Sequence, residues 1–390
     1  MALQPLNTNE DYDRLAIKMK ERASNQTPFT QEEVDTVLKS LENVDPATEC
    51  DSSSINVENC IELLKKVAHL SHKDWKRTGE NAERLHQILL GEKGIDSNDA
   101  LQSMLDRVLR EGNWEGAFNH TSSTTSSASN NKPWVVLVTG LNGIRKTTSI
   151  YQDWFPNLLS EALVPPPNGM ASSDIPLSQL PCGGNSFFRQ LDHMITILVN
   201  EEFQRLYHVT DVETYARLKD GIFTRYRTLA ELLGVVLVRE AQRLKLNIMA
   251  ETSGKDVAMF DYIDTFFKDE EYNKLVLHFT INDISYAEQS VDSRMAKEIV
   301  DGQAAMNSKN VQNIINANAG GPYGSKALKG VLSDSDRVWN QIVNGEVKAG
   351  QTWYKASIQI DASNPPKAWT AAAVKSDGSK SDTTYSFPVR

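Results

Sequence analysis

The chain has 390 residues, 40% of them apolar and 24% charged, with a formal net charge of -10; this is enough for two or three domains around one sizeable core and an ordinary globular mix. An acidic chain without a block of like positive charge argues against a nucleic-acid or anionic-membrane binder, and no apolar run is long enough to span a bilayer. The opening "MALQPLNTNEDYDRLA" lacks the pattern of a secretory signal, and Cys50, Cys60 and Cys182 fall neither in a CxxC pair nor at zinc-ligand spacing, so free thiols in the cytoplasm are expected.

To about Gly112 the signal is helical. "TQEEVDTVLKSLENV" carries Thr30 and Glu33 at capping-box spacing, with Val34, Val37, Leu38 and Leu41 on one face. "VENCIELLKKVAHL" repeats the pattern with Ile61, Leu64, Val67 and Ala68, and "ALQSMLDRVLREG" does so with Leu101, Met104, Leu105, Val108 and Leu109. A helical accessory domain over 1–118 is expected. "NHTSSTTSSASNNKP", residues 119–133, has almost nothing to bury and predicts a flexible linker.

The region 134–346 alternates. "WVVLVTG" is the valine-rich run of a strand buried on both faces, and a helix starts at about Lys146. "VPPPNGMASSDIPLSQLPCGGNS" is irregular, with one short strand expected near Leu177–Cys182. "SFFRQLDHMITILVNEEFQRLY" predicts a helix, "DGIFTRYRTLAELLGVVLVREAQRLKL" a long one, "NIMAE" a strand, "DVAMFDYIDTFF" a helix, "KLVLHFTIN" a strand, and further helices run to about Gly345. Strand and helix in alternation predict an α/β fold with a mainly parallel sheet and flanking helices. In 347–390, "QTWYKASIQID", "KAWTAAAVKSD" and "TTYSFPV" predict short strands, either a small β unit or an edge added to the sheet.

The chemistry concentrates in "VVLVTGLNGIRKTTSI", residues 135–150. A phosphate-binding loop needs a buried strand, a glycine-bearing turn and a helix start. Here Gly140, Leu141, Asn142, Gly143, Ile144, Arg145, Lys146, Thr147 and Thr148 follow the strand. In that reading Lys146 reaches the β- and γ-phosphates of ATP and Thr147 ligates Mg²⁺. Arg145 stands where the motif has its second glycine; it either adds a charge toward phosphate or narrows the site. No Asn-Lys-x-Asp base-reading motif follows, which argues against a GTPase. Glu251 ends the strand of "LNIMAETSGKD", on the edge where open α/β sheets bind ligands, and is a candidate to hold the metal shell or the acceptor.

The order of parts resembles the zeta toxin and chloramphenicol phosphotransferase group of P-loop kinases, across about Trp134–Ile299: "GLNGIRKT", then "GGNSFF", then "IMAETSGKDVAMF", then a strand and "INDISYAEQSVDSRMAKEI". The resemblance implies transfer of a γ-phosphoryl group to a hydroxyl of a small molecule, such as a nucleotide sugar or related metabolite. "AETSGKDV" is similar to the family's Glu-Gly-Thr segment, and Arg294 falls where a lid arginine closes on the phosphates. The family's basic aspartate falls on Asn185, which cannot accept a proton. Asp192, two helical turns or roughly 10 Å further along a helix axis, is the replacement this sequence offers, with His193 as a second. Arg225 and Arg227 are candidates for an anionic acceptor or for a solvated helix face. Lys297 pairs with Arg294 in a lid, or both with Asp292 and Glu298 in surface ion pairs. The glycine-rich 316–330 is a substrate loop or a plain linker. Phe187, Phe188, Tyr207 and Tyr226 fit core positions better than a stacking platform.

The expectation is an ATP- and Mg²⁺-dependent small-molecule kinase whose catalytic set is Lys146, Asp192, Arg294 and Glu251, with Thr147 and Glu251 at the metal. Its partners are the nucleotide and the acceptor, with no nucleic acid and no membrane. Two rivals follow from the same residues: a silenced nucleotide-binding pseudokinase, and an interaction protein in which the N-terminal helices bind a partner. Those helices also have the tether length to act as an autoinhibitory cap.

Overall fold

The run "WVVLVT" forms strand β1 (Trp134–Thr139), and all six of its residues are buried, as a continuous apolar run requires of a strand covered on both faces. A computed structural model describes residues 9–42, 57–91, 112–124, 132–183, 188–190, 195, 198–308, 311–318, 320–364 and 368–388. Fourteen α-helices and eight strands lie among them. The fold is mixed α/β, with a mostly parallel sheet and flanking helices, as expected for a P-loop kinase-type domain.

The remaining strands are β2 (Leu163–Val164), β3 (Phe188–Gln190), β4 (Ile248–Glu251), β5 (Asn273–Ile281), β6 (Tyr354–Asn364), β7 (Ala368–Val374) and β8 (Tyr385–Ser386). Their order is β3-β4-β1-β5-β6-β7-β8, with β2 paired to β6. β4, β1, β5 and β6 run parallel, while β7, β8 and β2 pair antiparallel. The chain leaves β1, returns as β4 on one side and then as β5 on the other. β1 therefore sits at a topological switch point, where the loops diverge and leave a crevice at the carboxyl ends.

The chain divides into two compact units, each drawn from three stretches: Met1–Gly112, Gln190–Gln242 and Asp292–Gly324 in one, Asn113–Arg189, Arg243–Val291 and Ser325–Arg390 in the other. The division cuts across the linear succession 1–118, 119–133, 134–346 and 347–390. Long-range pairing causes the difference: β6 and β7 join the main sheet as an added edge, and later helices complete the N-terminal set.

The first unit is helical. It holds α1 (Asn9–Ser24), α2 (Gln31–Glu42), α3 (Val57–Val67), α4 (Trp75–Leu89), α8 (Asn200–Leu206) and α9 (Val212–Arg243). It also takes most of α11 (Ile284–Ser308), and α12 (Val311–Asn316). α9 is buried on nearly every face through "TLAELLGVVLV", the pattern of a helix at the centre of a bundle. The capping box forms: the Thr30 amide donates to Glu33 Oε2 at 2.8 Å, and the Glu33 amide to Thr30 Oγ1 at 3.2 Å. The same carboxylate takes Arg22 at 2.6 Å and the buried Arg225 at 3.1–3.2 Å. Burial pulls the Glu33 pKa upward, but these hydrogen bonds and the Arg225 charge outweigh it and hold the group below its usual value.

The second unit carries the sheet with α5 (Trp114–Thr124), α6 (Lys146–Ile150), α7 (Phe155–Ala162), α10 (Ala258–Phe266), α13 (Ser325–Val343) and α14 (Lys348–Thr352). Three local expectations change. Residues 119–124, read as linker, form the end of α5, which Trp114 and the buried Ala117 begin. The strand expected near Leu177–Cys182 is a pair of single 3₁₀ turns at Ser172–Asp174 and Leu177–Gln179; prolines at 176 and 181 flank the second, and proline gives no amide to a ladder. The helix expected from Ser186 to Tyr207 instead shows strand β3 at 188–190 and helix α8 from Asn200. The helix expected over 101–112 lies almost wholly outside the described residues.

Candidate functional site

The turn after β1 is built where the sequence puts its glycines. Gly140 has φ +117°, and a Cβ there would clash with the carbonyl of Phe279 on β5. Gly143 has φ +84°, with a hypothetical Cβ 2.9 Å from the carbonyl oxygen of Ala287. Both positions need glycine for conformation and for space. Arg145 also takes a left-handed conformation, φ 62° and ψ 27°. That is the backbone shape the motif normally reserves for glycine, and it costs an arginine about 1–2 kcal/mol. Leu141 and Ile144 bury their side chains and so offer the site backbone only. Thr148 accepts the Gln152 amide on its carbonyl at 3.0 Å.

Lys146 opens α6 and is buried. Its ammonium donates to the carbonyls of Gly140 and Leu141, both at 2.8 Å, so the charge lies inside the turn. The next residue, Thr147, donates its hydroxyl to Glu251 Oε1 at 2.7 Å. Glu251 is the last residue of β4 and stands in register with Val138 of β1. The turn is completed from the β4 side, where the Thr252 amide donates to the Val138 carbonyl at 2.9 Å and the Gly140 amide to the Ser253 carbonyl at 3.4 Å. Helix α6 is only five residues long, so its dipole is small. Lys146 is the positive charge nearest the turn's carbonyls.

The Arg145 guanidinium carbon lies 4.6 Å from the centre of the Trp369 ring and 5.3 Å from that of Phe387, so the side chain meets the C-terminal strands.

Beneath the turn, Thr139 Oγ1 and His278 Nδ1 are hydrogen-bonded at 2.9 Å, and the imidazole stacks on Trp339 at 4.5 Å and 12°. Burial, then the nearby Lys146 charge, pushes the His278 pKa down to about 3. The ring is therefore neutral at physiological pH. The unfolded imidazole takes up a proton near 6.5 that the folded one refuses until about 3. Stability is thus expected to fall as pH drops through that window, by up to about 1.4 kcal/mol per pH unit. Melting temperatures between about pH 7 and pH 4 check this: His278→Phe flattens the slope, and equal slopes would remove His278 as the cause. Sequence reading missed this residue, although a histidine interrupting "KLVLHFTI" was a visible signal.

Arg294 belongs to the helical unit, where it pairs with Glu298 at 3.4 Å and donates to the Gly321 carbonyl at 3.1 Å. Glu298 is buried and also accepts from Lys219 at 2.8 Å and from the Tyr215 hydroxyl at 2.9 Å. The pairing with Glu298 foreseen for a surface is thus internal. Lys297 pairs with Asp301. Arg225 is buried against Glu33 and lies over the Phe29 ring at 4.1 Å; Arg227 binds Glu231 at 2.9 Å. Both arginines thus have carboxylate partners within the helical unit. Tyr207 and Tyr226 are core residues, while Phe188 is in a strand. Asn185, Phe187, Asp192 and His193 lie outside the described residues.

The donor set suits magnesium. Thr147 and Glu251 supply hard oxygens, and Mg²⁺ is normally held by one or two protein oxygens together with substrate phosphates. Among the described residues no group of three or more His, Cys, Asp or Glu forms a separate metal cluster. No helix there is long and apolar enough to cross a membrane.

No protein-family model matches the chain, and no curated protein does. A solved structure from work on the PezAT chromosomal toxin-antitoxin system of Streptococcus pneumoniae is remotely similar. Its TM-score is 0.34 and its sequence identity 12%, over 70% of this chain and 81% of that one.

Proposed function

We propose that the chain is an ATP- and Mg²⁺-dependent phosphotransferase acting on a hydroxyl of a small molecule, such as a nucleotide sugar or related metabolite. The observation that carries this reading is the Thr147–Glu251 hydrogen bond, which joins the start of α6 to the end of β4, beside a lysine buried in a glycine turn at the switch point. A hydroxyl and a carboxylate that would suit Mg²⁺ meet there, and a positive charge lies in the turn.

In the reaction the acceptor oxygen bonds to the γ-phosphorus and the bond to the β,γ-bridging oxygen breaks, releasing ADP. Lys146 neutralises charge on the β- and γ-oxygens. Thr147 and Glu251 would hold Mg²⁺, which would supply positive charge toward the phosphates when bound. Charge placement dominates in a loose transition state of this kind. The acceptor proton needs a base, the role we assign to Asp192, since the family's aspartate is Asn185 here.

The test is transfer of labelled γ-phosphate from MgATP into a metabolite pool. Thr147→Val is expected to raise the Mg²⁺ requirement, and Glu251→Gln to lower kcat, each by roughly 10- to 100-fold. A wild-type protein that gains no thermal stability from MgATP and transfers nothing overturns the reading. Tight binding without transfer is instead the outcome expected of a silenced kinase.

A further inference from the structure

An L residue resists the left-handed conformation that Arg145 holds, and it holds it immediately before the lysine and threonine on which the site depends. Two rings that its guanidinium meets lie more than two hundred residues away in sequence. Trp369, on β7, stands in register with Ala362 of β6 and meets Tyr286 with 6.3 Å between ring centres. Phe387 follows β8; it is buried and packs edge-on against Trp154 at 5.3 Å. The Phe387 amide donates to the Trp369 carbonyl at 3.0 Å, so the two rings are tied to one another. Trp154 in turn stacks on Tyr385 at 5.4 Å. The guanidinium therefore rests on a fixed aromatic seat, not on a mobile side chain.

We propose that Trp369 and Phe387 are positioning residues of the phosphate loop, acting through Arg145. By gripping the guanidinium they hold the segment Gly140–Thr147 in the shape that a glycine at 145 would adopt unaided. Arginine at this position is then a device of the turn's construction: the loop is shaped from outside by the C-terminal strands. A flat delocalised cation suits such a seat, since it stacks on ring faces while its backbone stays in the turn. The functional consequence rests on the phosphotransferase reading above; the grip itself does not.

The experiment uses the full chain with Trp369→Leu, Trp369→Phe, Arg145→Gly and the double variant Arg145→Gly/Trp369→Leu. Phe387→Leu stands in if Trp369→Leu fails to fold. Hydrogen–deuterium exchange of the amides of residues 141–147, without nucleotide, reads the grip. Trp369→Leu is expected to speed exchange there by about fivefold to thirtyfold, while Trp369→Phe stays close to wild type because it keeps an aromatic face. In the Arg145→Gly background, Trp369→Leu is expected to add nothing. Unchanged exchange in Trp369→Leu overturns the proposal, and so does an equal acceleration with and without Arg145. Calorimetry with MgATP reads the consequence, with affinity weakened in step with loop exchange in Trp369→Leu and rescued in Trp369→Phe. A loosened loop with unchanged affinity overturns the positioning role. A wild-type protein that binds no MgATP overturns the phosphotransferase reading alone, since the exchange arm still decides whether the aromatic seat holds the loop.

Discussion

Lys146→Ala is expected to lower the rate of γ-phosphoryl transfer by roughly 10²- to 10³-fold, the size of effect seen when one preorganised donor is removed from a site of developing charge. The ammonium is buried inside the turn and bonds two of its carbonyls, so it needs little reorganisation to meet an incoming phosphate. The substitution also removes those two hydrogen bonds, and a loss of about 1 kcal/mol each in stability accompanies it. The two effects separate by measurement. Transfer of labelled phosphate reads the first and chemical denaturation the second. Lys146→Arg is expected to rescue stability in part but not transfer, because a planar fork cannot place a point charge in the same cradle. If Lys146→Ala keeps wild-type transfer, the turn is an ordinary strand-to-helix connection.

The largest effect on folding is expected at Glu298. Its carboxylate is buried, accepts from Lys219, whose ammonium is wholly buried, and from Tyr215, and forms an ion pair with Arg294. Glu298→Ala leaves cations inside the bundle without that carboxylate, and stability is expected to fall by about 3–5 kcal/mol. Urea denaturation followed by far-ultraviolet circular dichroism checks this; a change below about 1 kcal/mol, usual for exposed pairs, would place the cluster in contact with solvent. Arg294→Lys keeps the charge but not the fork. A loss of stability in this variant without a separate fall in kcat favours a structural arginine, and the reverse favours the lid.

The parts of the fold that were legible in sequence are those whose cause is local. "WVVLVT" had to be a buried strand because nothing in it tolerates water. Gly140 and Gly143 marked a turn because the positions demand positive φ. Thr30 and Glu33, three apart, close their capping box over one helical turn. What escaped has a distant cause. Nothing near Trp369 says that its ring lies against Arg145, because that contact depends on β7 pairing with β6 and β6 pairing with β5. The seryl and threonyl residues at 121–124 look like linker by composition, yet they continue a helix begun by Trp114 and Ala117. Arg225 looked available for a ligand because a sequence shows a charge without its distant partner, here Glu33; for Arg294 the partner Glu298 was visible four residues on, but its burial was not.

The interleaving of the two units bears on how the chain is made. A ribosome delivers residues in order, but neither unit is contiguous, so early segments must wait for late ones. β5 emerges with one long edge open and stays so until β6, more than seventy residues later, arrives to pair with it. Such an edge invites wrong pairing while it waits. The nascent chain is therefore most vulnerable to aggregation just after β5 appears, and the late strands act as the closure that ends that interval.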